Sequence, residues 1–147
     1  MFSKGLEEFE VVALSDWDLL AARLLAYAGS RKKFFFFGEM GAGKTTFIQA
    51  LCRRLGAVAG VVSPSFALVN EYLYTDANGQ PGIVHHLDLF RLKNEQEALD
   101  IGVEDYLYDD DYCFVEWPEM VEPLAPQDVV RIQIRPEGDS VRKVLYL

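Results

Sequence analysis

The distribution of hydrophobic residues predicts two strands that are covered on both faces. Four consecutive phenylalanines at positions 34–37 leave no polar face, and positions 112–115 are also apolar or aromatic up to Glu116. A strand with one exposed face alternates apolar and polar residues, so uninterrupted runs are typical of the inner strands of an α/β sheet. We therefore expect central strands at 34–37 and 112–116.

Other segments have the spacing of amphipathic helices. Leucines recur at near-helical intervals between positions 19 and 25, and Gly29 behind them suits the end of a helix. Ser15 precedes Asp18 by three residues, and this spacing predicts a capping box at the start of that helix. Two further helices are predicted, at 45–55 with Gly56 as its stop and at 95–99 with Asn94 as its cap.

The remaining apolar segments predict strands joined by turns. Turn-forming residues fill positions 76–82 between two apolar segments, which indicates a hairpin or a long loop and favours antiparallel pairing there. Together with the central strands, this pattern predicts a mixed sheet that is parallel at its centre. The other predicted strands are 9–14, 66–74, 83–88 and a terminal hairpin of 129–135 and 141–146 that turns at 137–139.

Composition narrows the possible classes of protein. The 147 residues suit one domain, and 50% hydrophobic with 13% aromatic residues excludes a disordered chain. A net charge of −9 disfavours direct binding to a polyphosphate backbone. No basic and then apolar leader begins the sequence, and no apolar run approaches the about 20 residues that span a bilayer, so a cytoplasmic location without membrane contact is predicted. Cys52 and Cys113 lack metal-ligand spacing and are expected in the core.

Residues 38–45 carry the clearest chemical motif. Their sequence, GEMGAGKT, matches G-x-x-x-x-G-K-[ST] without substitution and lies between a predicted strand and a predicted helix. In such a loop, backbone N–H groups and the positive end of the helix dipole hold phosphate oxygens. We expect the Lys44 ammonium to bridge the terminal phosphates and the Thr45 hydroxyl to ligate Mg²⁺. The structural alternative is a glycine-rich turn that merely joins strand to helix.

This motif defines both the fold class and the nucleotide site that we predict. The fold class is α/β, a P-loop NTPase-like three-layer sandwich with a mixed, centrally parallel sheet, formed by a single domain over residues 1–147. Thr46 either contacts the α-phosphate or caps the helix. The residues predicted to bind the nucleotide are Glu39, Met40, Gly41, Ala42, Gly43, Lys44, Thr45 and Thr46.

A P-loop enzyme also needs a carboxylate at the end of a neighbouring strand, where it can meet the metal. Glu116 ends the apolar run 112–115, and Asp88 ends a run that two histidines interrupt. Either residue alone would more often be a surface acid at a strand end. We expect both to act at the site, in different roles.

Four other features have a plain structural interpretation beside a functional one. Adjacent His85 and His86 point to opposite faces of a strand, so they cannot chelate one metal together, and each is expected to be a hydrogen-bonded structural residue. Trp117 could form a wall of the nucleotide pocket or simply end its strand with Pro118. The acidic run 109–111 is expected to be a solvated turn, and the Ser-Pro-Ser-Phe segment 63–66 is either a phosphate-sensing loop or an ordinary turn.

Five segments together resemble the bacterial TsaE (YjeE) family of threonylcarbamoyladenosine-biosynthesis ATPases. The last three of them are far more specific than a P-loop alone, while the first strand and helix and the terminal hairpin are similar in plan only. The segments are 38–47 (GEMGAGKTTF), 63–69 (SPSFALV), 86–92 (HLDLFRL), 97–106 and 115–118 (VEWP).

The resemblance implies a small P-loop ATPase that uses ATP and Mg²⁺. It further implies that the protein works with the TsaB and TsaD proteins in modifying tRNA, which it would meet only indirectly through that complex. The implied roles are phosphate binding by Lys44, metal binding by Thr45 and Glu116, an active-site acid at Asp88 and an adenine-side contact at Arg142. Lys44, Asp88 and Glu116 form the implied catalytic set. Two departures from the family pattern are Ser65 in place of Thr and Phe90 in place of Tyr, and the second argues against a role for a phenol at that position.

Three functions are compatible with these residues. The first is a slow ATPase, activated by a partner enzyme whose cycle it drives. The second is a small-molecule P-loop kinase, although the segment between Thr45 and Arg131 lacks the arginine-bearing lid that is common in such kinases. The third is a nucleotide switch without useful hydrolysis, since a metal ligand and a catalytic base look alike in a sequence. The absence of an Asn-Lys-x-Asp motif favours ATP over GTP.

Overall fold

The computed structural model describes residues 7–62, 69–138 and 141–146. Within these ranges, no helix is long and apolar enough to cross a membrane. The strands are β1 (Glu7–Val11), β2 (Lys33–Phe37), β3 (Val58–Val62), β4 (Val69–Thr75), β5 (Pro81–Asp88), β6 (Tyr112–Glu116), β7 (Val130–Glu137) and β8 (Val141–Tyr146). The helices are α1 (Leu14–Ala28), α2 (Lys44–Leu55), α3 (Glu95–Asp100), α4 (Val103–Tyr108) and a 3₁₀ helix, Pro118–Leu124.

The described strands form one sheet with β2 near its centre. Their order is β1-β8-β7-β2-β6-β5-β4-β3. β2 pairs in parallel with both β6 and β7, and β5 pairs in parallel with β6. The outer pairs β1·β8, β7·β8, β3·β4 and β4·β5 are antiparallel. The prediction of a mixed sheet with a parallel centre is therefore confirmed.

Helices cover both faces of the sheet and give three layers. Phe34 and Phe36 of β2 pack in a core that includes residues of α1 and α2. Phe35 points to the other face and packs in a second core with residues of α3, α4 and the 3₁₀ helix. All three rings are fully buried, which explains why β2 has no polar face. The predicted α/β three-layer class is confirmed.

The predicted capping box of α1 is wrong. The chain leaves β1 at Val11, earlier than the predicted end of that strand, and the helix consequently starts one residue before Ser15. The N-cap is Ala13 and not the predicted Ser15, and Asp16 in the first turn takes the part predicted for Asp18: its carboxylate accepts two backbone N–H bonds of 2.9 Å from the residues that precede the helix. Asp18 instead pairs with Arg53 of α2 at 2.9 Å.

The other predicted elements are present where the structure describes them, with ends that shift by a few residues; positions 66–68 of the predicted strand 66–74 and position 139 of the predicted turn lie outside the described residues. The hairpin β4–β5, the helix α2 with Gly56 behind it, and the terminal hairpin β7–β8 are confirmed. Asn94 caps α3 by accepting the Glu97 N–H at 2.9 Å. The elements without a sequence prediction are β3, α4 and the 3₁₀ helix, which are short and depend on tertiary contacts more than on local propensity.

Candidate nucleotide-binding site

The loop between β2 and α2 is shaped by a glycine that packs against a tryptophan. Gly43 precedes the first residue of α2 and has φ +113°, a conformation that side chains disfavour. A Cβ atom at Gly43 would lie 2.8 Å from the ring of Trp17 in α1, closer than a carbon contact allows. Trp17 is buried against Phe47 with ring centroids 5.5 Å apart. The close approach of loop and α1 therefore requires glycine at this position.

A cleft of about 240 Å³ opens at the carboxyl ends of β2, β5 and β6. It brings together most of the predicted nucleotide-binding residues and both predicted acids. Glu39 and Ala42 do not line it, and the Ala42 N–H instead donates to the Glu39 carbonyl at 3.1 Å. The cleft is lined by Met40, Gly41, Gly43, Lys44, Thr45, Thr46, Asp88, Phe90, Glu116 and Trp117.

Glu116 and Thr45 form the polar floor of this cleft. The Thr45 hydroxyl lies 3.0 Å from each carboxylate oxygen of Glu116, and the His86 ring nitrogen Nε2 lies 2.6 Å from Glu116 Oε2. Burial raises the pKa of a carboxyl group, but the interactions with His86, Thr45 and the Lys44 ammonium together outweigh burial and hold the pKa of Glu116 below its usual value. Glu116 is therefore a buried carboxylate that stays ionised.

Lys44 is held at the edge of the cleft by a carbonyl and an aromatic ring. Its side chain is buried, its Nζ donates to the Gly38 carbonyl at 2.5 Å, and Nζ lies 3.4 Å from the ring centroid of Trp117. Burial lowers the pKa of Lys44, while nearby carboxylates, chiefly Glu116, oppose that shift. An ammonium at the cleft with one described hydrogen-bond acceptor can still donate to an anionic ligand.

Asp88 lies beside Glu116 at the end of the neighbouring strand. The two residues are paired in the parallel register of β5 and β6. Asp88 is exposed, and its Oδ1 accepts the Phe90 N–H at 3.1 Å. This turn fixes the carboxylate at the mouth of the cleft, so one exposed acid and one buried acid face the same space.

Trp117 lies at the end of its strand and also forms a wall of the cleft. The two interpretations that the sequence left open are therefore compatible with each other. Trp117 is the one non-glycine residue with positive φ among those described, at φ 56°. The strand stops there because the 3₁₀ helix begins at Pro118. The Trp117 ring meets the half-exposed ring of Phe90 with centroids 5.0 Å apart. An uncommon backbone conformation at a cleft wall is typical of functional sites.

Arg142 lies in a recess next to the cleft. Its Nε donates to the Ala42 carbonyl at 3.0 Å, which links β8 to the loop. Gly41, Gly43 and Thr46 line both the recess and the cleft, and Trp17 adds an aromatic wall. Thr46 thus lies at the boundary of two spaces, and the structure brings Arg142 to the loop from a position 100 residues away along the chain.

The two histidines are hydrogen-bonded on opposite faces of the sheet, as expected, but the sequence did not predict their partners. His86 shares a face with Glu116, and His85 Nε2 lies 3.3 Å from Asp111 Oδ2 on the other face. The acidic run 109–111 is therefore more than a solvated turn, because Asp109 also holds Lys33 Nζ at 2.6 Å. His86 lies two residues before Asp88, so strand alternation places both side chains on one face of the sheet. Asp88 is paired with Glu116 on the neighbouring strand, and this alternation is therefore the sequence signal that could have found the contact between His86 and Glu116. The predicted loop 63–66 lies outside the described residues.

The donor atoms at the cleft fit a small, hard divalent cation. The Thr45 hydroxyl and the Glu116 carboxylate are oxygen ligands of the kind that Mg²⁺ prefers, and their oxygens already lie 3.0 Å apart. The exposed Asp88 carboxylate lies on the adjacent strand. A second cluster of His85, Asp109 and Asp111 has its ligand atoms within 4.8 Å of one another. There, however, the Lys33 ammonium already pairs with the Asp109 carboxylate.

The fold and the loop define the class of this protein. A parallel sheet centre, a glycine-rich turn from the central strand into a helix, and acids on the adjacent strand ends are the features of P-loop proteins. The crystal structure of YdiB from Bacillus subtilis has the same fold: it superposes with a TM-score of 0.69 over 96% of this chain and 84% of that chain, at 24% sequence identity.

The sequence comparisons identify the family. The family model described as threonylcarbamoyl adenosine biosynthesis protein TsaE matches residues 13–144. The chain belongs to the TsaE family. It is similar to two proteins named tRNA threonylcarbamoyladenosine biosynthesis protein TsaE, one from Bacillus subtilis and one from Haemophilus influenzae.

These similarities cover most of this chain but less of the relatives. Identity with the Bacillus subtilis protein is 34% over 109 residues, which are 74% of this chain and 65% of that protein. Identity with the Haemophilus influenzae protein is 33% over 97 residues, which are 66% and 58% respectively. The matched segment thus spans less than two thirds of the length of either relative.

Proposed function

We propose that this chain binds ATP with Mg²⁺ at the cleft and is the ATP-hydrolysing component of the tRNA threonylcarbamoyladenosine machinery. The observation that carries the proposal is the convergence of a P-loop lysine, a hydroxyl and two acids on one cleft. Family membership supports the pathway. In this proposal the protein cycles a complex of the TsaB and TsaD proteins in the cytoplasm and meets tRNA only through that complex.

Each residue has a physical role in this proposal. The backbone N–H groups of the loop and the Lys44 ammonium bind phosphate oxygens, because partial and full positive charges converge there. Thr45 and Glu116 would hold Mg²⁺, which supplies charge neutralisation at the phosphates when bound. Arg142 and the recess around it would accommodate the adenosine end of the nucleotide. Asp88, exposed at the mouth of the cleft, would orient the attacking water.

The proposal also includes a low rate for the isolated protein. Among the described residues that line the cleft there is no arginine, so Lys44 is the only cationic side chain there. P-loop enzymes that receive an arginine from a partner gain about 10³-fold or more in rate. We therefore expect activation by the TsaB–TsaD complex. The chain's charge of −9 argues against tRNA as the direct activator.

The experiment is steady-state ATP hydrolysis by the protein alone, with tRNA alone, and with the TsaB–TsaD complex. We expect a slow basal rate, no response to tRNA alone and strong stimulation by the complex. Lys44→Met should abolish the stimulated rate, while Lys32→Met, which removes a lysine from the opposite end of the sheet, should retain it. A fast basal rate that the complex does not change would contradict the proposal, as would strong stimulation by tRNA alone.

A further inference from the structure

His86 makes a contact that the proposed roles do not use. It lies on β5 two residues before Asp88, and strand alternation places its side chain on the face of the sheet that carries Glu116 and α2. Its Nε2 lies 2.6 Å from Glu116 Oε2. The contact joins β5 to the end of β6 across 30 residues of sequence.

This contact is buried and is one of two that hold the Glu116 carboxylate. The side chains of His86 and Glu116 are each 6% exposed. Within the described residues, the hydrogen-bond donors to Glu116 are the Thr45 hydroxyl and His86. A buried carboxylate without donors is strongly unfavourable, so both contacts stabilise the ionised form of Glu116 in this place.

The surroundings of His86 define which ring nitrogen carries the hydrogen. Its Nδ1 is buried and has no hydrogen-bond partner among the described residues. Because a carboxylate oxygen can only accept, the ring donates Nε2–H to Glu116 Oε2.

We infer that His86 is a positioning residue for the metal-binding carboxylate, an inference that rests on the proposed function. By pinning Oε2, His86 restricts the torsions of the Glu116 side chain and keeps the carboxylate beside the Thr45 hydroxyl, where the cation would bind. A free glutamate side chain samples many rotamers, so a side chain that is ordered in advance loses less entropy when the cation binds. Partners of this kind behind a metal ligand typically change metal affinity by about 10-fold to 100-fold.

Three substitutions at one position separate the hydrogen bond from simple packing. The amide nitrogen of glutamine reaches about as far as imidazole Nε2, whereas that of asparagine is shorter, and leucine has no donor. ATP affinity is measured by calorimetry for each variant with Mg²⁺ and with EDTA. We expect His86→Leu and His86→Asn to lose about 10-fold or more of the Mg²⁺-dependent gain in affinity. Affinity in EDTA should stay near the wild-type value, and His86→Gln should recover much of the gain.

His85→Gln is the matched control, because it changes the same residue type on the other face of the sheet. It should keep the full Mg²⁺ response, and melting temperatures verify that each variant is folded. A full response in His86→Leu, or an equal loss with and without Mg²⁺, would overturn the positioning role. If His86→Leu does not fold, equal responses of the Gln and Asn variants would overturn it instead. A wild-type protein whose ATP affinity ignores Mg²⁺ would overturn the proposed function itself, and the inference with it.

Discussion

The central sheet carries a cluster of lysine, histidine and carboxylate on each face. The two clusters differ in how many N–H groups of the lysine lack a hydrogen-bond acceptor in the protein. In the cluster beside α4, Lys33 Nζ donates to Asp109 Oδ1 at 2.6 Å and to the carbonyls of Tyr106 at 2.8 Å and Asp111 at 2.5 Å. All three N–H groups of that ammonium are occupied by protein oxygens. His85 closes the cluster through its contact with Asp111.

The cluster beside α2 consists of Lys44, His86 and Glu116, and it is open in the sense that its lysine has fewer hydrogen-bond acceptors. Lys44 Nζ has a single hydrogen-bond acceptor within the described ranges, the Gly38 carbonyl, and otherwise faces the Trp117 ring. Two N–H groups of Lys44 therefore remain for a ligand in the cleft. A charge that the protein satisfies completely is structural, whereas a charge that it satisfies incompletely beside a cavity is available for binding. Under the proposed function, the same residue types thus serve stability on one face and ligand binding on the other.

Replacing each of the two lysines by alanine tests this comparison, and it has the largest expected effect. Lys44→Ala should weaken ATP binding by roughly 10-fold to 150-fold, because it removes a charge-assisted contact of about 1.5–3 kcal/mol. Lys33→Ala should leave ATP affinity unchanged. It should instead lower the free energy of unfolding by about 1–3 kcal/mol, because the carbonyls and the carboxylate around Lys33 lose their donor.

Calorimetry with ATP and urea denaturation measure the two effects on the same samples. Wild-type ATP affinity in Lys44→Ala would contradict the assignment of the P-loop. A loss of ATP affinity in a fully folded Lys33→Ala would show that the two clusters are coupled, and the comparison would then fail.

Two acids on opposite faces of the sheet, Asp88 and Asp111, give a second, smaller contrast. Asp88→Asn should lower the rate of ATP hydrolysis by about 10-fold while changing ATP affinity little, because the loop supplies most contacts to the bound nucleotide. Asp111→Asn should leave the rate unchanged and reduce stability, since Asp111 contacts His85 on the other face. Single-turnover rates and binding constants separate these outcomes, and equal losses of rate and affinity in Asp88→Asn would make Asp88 a binding residue.

The open cluster could largely be predicted from the sequence, whereas the closed one could not. The P-loop is a contiguous motif, and Asp88 and Glu116 follow apolar runs, so strand-end logic places all of them at one edge. Lys33 and Asp109 lie 76 residues apart, and nothing local distinguishes their pairing from two solvated charges. The start of α1 was mispredicted for a related reason, because Asp16 and Asp18 are both plausible caps until the end of β1 is known.

The two cysteines lie in the cores on the two faces of the sheet. Their reactivity provides the test with the smallest expected effect. Cys52 packs in the core beside α2 and Cys113 in the core beside α4, and both are buried. Burial raises the pKa of each thiol to about 12. Since the thiolate is the nucleophile, we expect iodoacetamide to label neither cysteine at pH 8 in the folded protein and both in urea.

The raised pKa of the Cys113 thiol predicts how the free energy of unfolding changes at alkaline pH. Above about pH 9 the unfolded chain releases the thiol proton of Cys113 while the folded protein retains it. The folded state then binds more protons, so the free energy of unfolding falls as pH rises, by at most about 1.4 kcal/mol per pH unit for this group. Urea denaturation at pH 8 and pH 10 should show a smaller decline in Cys113→Ala than in the wild type. Rapid labelling of Cys113 at pH 8 without loss of structure would show that the core beside α4 opens more readily than its closed cluster implies.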